Sequence, residues 1–281
     1  MSTIEVRGVQ HYYEWIRQSQ NSQEKPIMVF VHGWGGSSQY WRSIASSLCD
    51  RFDCLLYDLR GFGRSVVSTP RNNFSYELQE YARDLAIFLD NLHINQKIYL
   101  NSHSMGGSIG VLFANLYPEK VEKSIVNCNG IFEYDEKAFA LFHQFGKYVV
   151  QFRYQWFLKI PLVEHLFMSR FLNRPIDPAI SKVFLADFIV ADYEAALRTI
   201  YTSVNKNLVE TMPNEFSRIR VPTLMISGEK DRIIPAKMAK AAANLNDLIK
   251  YEEIAETGHF PMLEDSETYL KLVNQFLEND N

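Results

Sequence analysis

The chain has 281 residues, 47% of them hydrophobic and 22% charged, with a formal net charge of −4. Such a composition belongs to a globular protein long enough to bury one large core or two smaller ones, and it excludes disorder as the default state. With 29 basic residues against 33 acidic ones, the chain carries no broad cationic footprint for nucleic acid.

The first residues, MSTIEVRGVQ, place Glu5 and Arg7 where a signal peptide needs an unbroken apolar core. No later stretch reaches the ~18 apolar residues of a membrane span. The expectation is a soluble, cytoplasmic protein without integral membrane association. Short β-rich runs follow at Ile4 to Val9, Tyr12 to Ile16, Ile27 to Val31, Cys54 to Tyr57, Ile98 to Leu100, Ser124 to Val126 and Thr223 to Ile226, each bounded by turn residues and each predicted as a strand. The stretch QSQNSQEK joins two of the first strands with no helix for a crossover, which predicts an antiparallel pair. Between later strands lie amphipathic stretches of helical length, SSQYWRSIASSLCDRF and YELQEYARDLAIFLDNLHI. In the second, Leu78, Tyr81, Leu85, Phe88 and Leu89 share one face. Alternating strand and helix predicts an α/β architecture with a largely parallel sheet covered on both sides.

From Ile131 to about Phe216 the rhythm changes. No strand is evident, and residues 131 to 201 hold 16 of the chain's 38 aromatic residues in about a quarter of its length. This segment reads as a helical insertion. Strands resume in VPTLMISGEKD and LIKYEEIAETGHF, and DSETYLKLVNQFLEND closes the chain as a helix. Cys49, Cys54 and Cys128 lack metal-ligand or CxxC spacing, so reduced thiols are expected and no metal is implied.

The chemistry concentrates at LNSHSMGGSIG, residues 100 to 110, where a strand ends on a polar corner and a new element begins. A serine at a tight strand-to-helix turn projects its hydroxyl above the sheet, beside the free amides that open the helix. The pattern G-x-S-x-G is met here by Ser102-His103-Ser104-Met105-Gly106, with serine in place of the first glycine. A serine nucleophile needs a base, and the base needs an acid to fix its tautomer. His259, in ETGHFPMLE, and Asp231, in SGEKDRIIP, both lie just beyond strands, as Ser104 does. In a parallel sheet all three converge on one edge, where ligands bind. A dinucleotide reading of Gly33-Trp34-Gly35 fails, because the third glycine position is Ser38.

These motifs together resemble the α/β-hydrolase superfamily, in its capped serine esterase and C–C hydrolase-like branch. FVHGWGGSSQYW is similar to the family's oxyanion loop, YDLRGFGRS to the loop after the fourth strand, SHSMGG to the nucleophile elbow, SGEKDRIIP to the acid loop and TGHFPMLE to the histidine loop. The resemblance implies a mostly parallel eight-stranded sheet flanked by helices, with a helical cap inserted after the sixth strand. It divides the chain into a core domain of residues 1–130 and 217–281 and a cap domain of residues 131–216. It further implies Ser104 as nucleophile, His259 as general base, Asp231 as the base's partner, and the backbone amides of Trp34 and Met105 as the oxyanion hole. Trp34, His103, Phe142 and Phe260 are the expected substrate contacts. Asp58, Arg60, Gly61, Gly63 and Ser65 are expected to support the loop they share. No cofactor is required.

The expected activity is hydrolysis of a carboxylic ester of a small hydrophobic or lipid-like substrate. C–C bond hydrolysis, acyl transfer and a receptor-like protein with little turnover are the alternatives. Nothing in the sequence fixes an oligomeric state. Basic residues interleaved with the apolar ones of the insertion (Lys147, Arg153, Lys159, Arg170 and Arg174) leave open a peripheral contact between the cap and lipid.

Overall fold

In the computed structural model, which describes residues 2–18, 25–65, 67, 74–132 and 135–278, the apolar runs assemble into one eight-stranded sheet. Its strands are β1 (Ser2–Val6), β2 (Val9–Ile16), β3 (Ile27–Val31), β4 (Asp53–Tyr57), β5 (Ile98–His103), β6 (Val121–Asn127), β7 (Thr223–Gly228) and β8 (Ile249–Ile254). Their order is β1-β2-β4-β3-β5-β6-β7-β8. β2 is antiparallel to β1 and β4. All other neighbours are parallel.

Successive strand residues point to opposite faces, and here both faces are covered. Val29, Val31, Leu55 and Tyr57 enter an apolar layer with helices α2 (Leu78–Asn91) and α3 (Met105–Leu116). Met28, Phe30, Cys54 and Leu56 enter the opposite layer with α1 (Arg42–Leu48). This double burial explains why the inner strands read as continuous apolar runs. The face of α2 predicted to be apolar is buried at all five positions.

Several expectations change. The single run Ile4 to Val9 is two strands joined by a turn at Arg7 and Gly8, both at positive φ (50° and 77°). The strands flanking QSQNSQEK do run antiparallel, but β4 lies between them. Residues 19–24 of that connection lie outside the described residues. β5 and β6 extend beyond the predicted apolar cores because their polar ends, Asn101 to His103 and Asn127, are buried and hydrogen-bonded inside the fold.

Between β6 and β7 the described residues form α4 (Glu136–Gln151), α5 (Val163–Met168), α6 (Pro178–Val190), α7 (Tyr193–Ser203) and α8 (Lys206–Ser217), with a short 3-10 turn at Gln155–Lys159. Within the range 131–216, α8 buries Leu208, Met212 and Phe216 in the same layer as α2 and α3, a layer that Val150 of α4 and Ala195, Ala196 and Ile200 of α7 also enter. Helical periodicity identifies a helix without showing which surface it covers. The chain closes with α9 (Ala236–Ala243), α10 (Pro261–Glu264) and α11 (Ser266–Glu278).

The packing of β5 against α3 sets the position of Ser104. Ser102 is buried, and its hydroxyl donates to the Ile125 carbonyl at 3.1 Å. Opposite it sits Gly110, where a Cβ would stand 2.6 Å from the Ser102 Oγ and 3.1 Å from its Cβ. The serine that replaces the usual elbow glycine is thus accommodated by a glycine one helical layer away. Gly110→Ala is expected to destabilise the protein by about 1–3 kcal/mol through overpacking. In the Ser102→Gly background the same alanine should be neutral or stabilising, since it improves helix propensity. A thermal-melt double-mutant cycle measures this, and additive effects would refute it.

Candidate active site

Ser104 lies between β5 and α3 at φ 53° and ψ −122°, a conformation disfavoured for a residue with a side chain. Its surroundings hold it there. Its N–H donates to the Asn127 carbonyl at 2.9 Å, and its carbonyl accepts from Gly107 N and from Asn129 Nδ2, both at 2.8 Å. Gly106 allows the turn to close, since a Cβ there would fall 2.4 Å from the His32 carbonyl oxygen at the end of β3.

The three residues predicted to work together do meet. His259 Nε2 lies 3.0 Å from the Ser104 Oγ, and His259 Nδ1 lies 2.7 Å from Asp231 Oδ2. A carboxylate only accepts, so Nδ1 carries the proton and Nε2 is left as acceptor for the serine hydroxyl. The other Asp231 oxygen accepts the amides of Ile233 and Ile234 at 2.8 and 3.0 Å. Both Asp231 and His259 are buried. Met105 is the first residue of α3, so its N–H has no intrahelical partner.

Trp34 is half-buried, and its indole N–H donates to the Ala196 carbonyl of α7 at 2.9 Å. Its ring lies 5.5 Å from that of Phe188 on α6. Trp34 therefore ties the loop after β3 to the helices above it.

The remaining predicted contacts fall elsewhere. His103 is buried with both ring nitrogens engaged. Its Nδ1 faces the Tyr40 hydroxyl at 2.9 Å and its Nε2 faces the His259 carbonyl at 2.7 Å. Because a carbonyl only accepts, Nε2–H donates to it and Nδ1 accepts from Tyr40. Tyr40 in turn accepts the Gly33 amide at 2.6 Å. Burial, and then the neighbouring His259, holds the His103 imidazole well below its usual pKa, so it stays neutral. Phe260 is 1% exposed, its ring 4.7 Å from that of His103. Both are supports behind His259, without free surface for a substrate. Phe142 is 45% exposed on α4, against His143, and lies outside this cluster.

Two further carboxyls hold the loops around this cluster. Buried Glu264 accepts amides from Gly258 and Phe260, and also from Asn173 and Arg174 beyond α5. It so joins the histidine loop to the helical insertion, and His259 N–H adds a bond to the Phe171 carbonyl at 2.7 Å. Asp58 accepts from Ser38 N and Oγ and from Arg64 N and Nε at 2.6–2.9 Å. Burial would raise its pKa, but the bonds and charge of Arg64 outweigh that and hold it below the usual range. This is the supporting role expected of its loop.

Among the described residues, His103, Cys128 and His259 bring ligand atoms within 4.8 Å of one another. They do not suit a metal: both His103 nitrogens are already bonded, and burial followed by the adjacent Asp231 charge keeps the Cys128 thiol protonated.

The profile of the alpha/beta hydrolase fold family matches residues 26–266, and the chain belongs to that family. It is 25% identical over 276 residues to the uncharacterised hydrolase YugF of Bacillus subtilis, covering 97% of this chain and 96% of that protein. Among solved structures it is similar to a bromoperoxidase from Bacillus anthracis (TM-score 0.82, 19% identity, 99% of each chain). It is also similar to an esterase from Exiguobacterium antarcticum (TM-score 0.80, 18% identity, 99% of each chain). The protein is a hydrolase of this fold.

A second carboxyl has a pH-dependent consequence. Asp187 on α6 accepts from the Ser37 hydroxyl, and burial pushes its pKa up to about 6, with Asp58 adding to the effect. Since the folded value exceeds the unfolded one, the stability supplied by the neutral acid is complete below about pH 4 and is lost as pH rises through 6. Asp187→Asn, permanently neutral, should exceed wild type by about 1–3 kcal/mol near pH 8 and match it near pH 4. Paired thermal melts test this, and an equal difference at both pH values would refute it.

Proposed function

We propose that the protein is a serine hydrolase that cleaves carboxylic esters of small hydrophobic molecules through an acyl-enzyme on Ser104. The observation that carries this reading is the continuous bond chain from the Ser104 hydroxyl through His259 to Asp231, at 3.0 and 2.7 Å.

In this mechanism His259 Nε2 takes the hydroxyl proton as the Ser104 oxygen attacks the ester carbonyl. Asp231 holds Nδ1–H and offsets the charge gained by the ring. The Met105 and Trp34 amides receive the developing oxyanion, the first of them at the positive end of α3. The imidazolium then protonates the leaving alcohol. Water, deprotonated by the same nitrogen, attacks the acyl-enzyme and releases the acid and the serine.

Support for an apolar substrate comes from rings contributed by the insertion. Phe188 packs on Trp34, and the Phe171 ring lies 6.3 Å from His259. Phe188 also packs against Gly35, where a Cβ would meet it at 3.2 Å.

Intact-protein mass after treatment with a fluorophosphonate is expected to show one adduct on wild type and none on Ser104→Ala. A folded wild type without an adduct would overturn the proposal. Asp231→Asn should lower kcat on a short-chain p-nitrophenyl ester by about 10⁴ through loss of tautomer control. Full activity in that variant would show that another group orients His259.

A further inference from the structure

The helix α4 carries apolar residues on two sides. Its inner side is seated on α7: Val150 is buried, and a Cβ on Gly146 would stand 2.9 Å from Ile200. Its outer side repeats Leu141, Phe145, Tyr148 and Phe152 at spacings of three and four residues, and all four are exposed, Phe145 at 56%. The Phe152 amide donates to the Tyr148 carbonyl at 2.9 Å, so the stripe continues past the helix end. It joins further exposed rings, with Tyr148–Phe152, Phe152–Tyr154 and Tyr154–Trp156 centroids 6.1–6.3 Å apart. The outcome is one continuous aromatic surface in place of scattered apolar residues.

Charge separates this surface from the rest of the protein. Residues 135–170 contain five basic residues and three acids, in a chain of net charge −4. Asp135 and Glu136 lie at the start of α4, away from Phe152 and Trp156 in sequence, and Glu164 is buried beside Lys182. Lys147 and Lys159 are exposed within the aromatic stretch. Arg153 is turned inward, bonded to the carbonyls of Val150, Phe188 and Ala191.

We propose that this face of the insertion docks on an anionic lipid surface, with the aromatic rings entering the headgroup boundary and Lys147 and Lys159 meeting lipid phosphates. A second copy of the chain is the poorer occupant, since pairing two such faces would gather Lys147 and Lys159 of both copies in one interface. The inference is independent of the chemistry at Ser104.

The test is co-sedimentation of the full chain with phosphatidylcholine vesicles and with vesicles of phosphatidylcholine mixed equally with phosphatidylglycerol. Wild type should partition at least about tenfold more strongly onto the mixed vesicles. Phe145→Ser/Phe152→Ser/Trp156→Ser should lose this binding. Lys147→Glu/Lys159→Glu, which leaves every ring in place, should lower it about tenfold or more. All substituted side chains are exposed or at the rim, so unchanged melting temperatures verify the fold. Absence of wild-type binding to mixed vesicles, or equal binding to both vesicle types, would overturn the proposal. So would binding unaltered in both variants. A concentration-dependent dimer abolished by the serine substitutions would assign the face to a second copy and overturn it as well.

Discussion

The constraint on which the site depends is the close passage of the first turn of α3 against the end of β3. The space at Gly106 leaves no room for a side chain beside the His32 carbonyl. Where backbones run this close, Ser104 has to turn through positive φ, and its hydroxyl is delivered above the sheet edge. Positive φ at a serine costs energy of order 1–3 kcal/mol. Amides and carbonyls of the neighbouring strand, through Asn127 and Asn129, offset that cost. The corner is therefore a property of three strands and a helix, not of five residues.

From that corner a second network spreads through His103. Gly33 donates to Tyr40, Tyr40 to His103 and His103 to the His259 carbonyl. Two loops and the end of β5, far apart in sequence, thus share one line of hydrogen bonds. Its central ring stays neutral because burial denies it a charge. A neutral imidazole keeps one donor and one acceptor, which is the polarity this line requires. Aromatic rings of Phe184 and Phe260 close around it and exclude water.

The fold and the three polar residues were legible in the sequence for a chemical reason. Ser104, Asp231 and His259 stand in motifs that tolerate few residue types, and each follows a strand whose apolar run is easy to see. Tyr40, Asp187 and Glu264 were not legible. Tyr40 and Glu264 stand inside the quoted loop motifs, but the partners that give them and Asp187 their roles lie up to 150 positions away, and no local pattern points to those partners. His103 and Phe260, expected as substrate contacts, are buried beside His259, because adjacency in sequence to Ser104 and His259 says nothing about which way a ring faces. The Arg7–Gly8 turn was obscured for the opposite reason: the strands on either side are both β-rich, and the short interruption has little composition of its own. Amphipathicity reveals that α8 has an apolar side, while only the tertiary fold reveals that this side meets α3 and α9.

The bond between the Trp34 indole and the Ala196 carbonyl crosses from the loop after β3 to α7, and Glu264 makes a comparable crossing from the histidine loop to residues 173 and 174. The roof and the chemistry beneath it are consequently one mechanical assembly. Separating α7 from the loop after β3 would break the Trp34 bond, and separating residues 173 and 174 from α10 would leave buried Glu264 short of two donors, so the insertion and the loops beneath it are expected to move together.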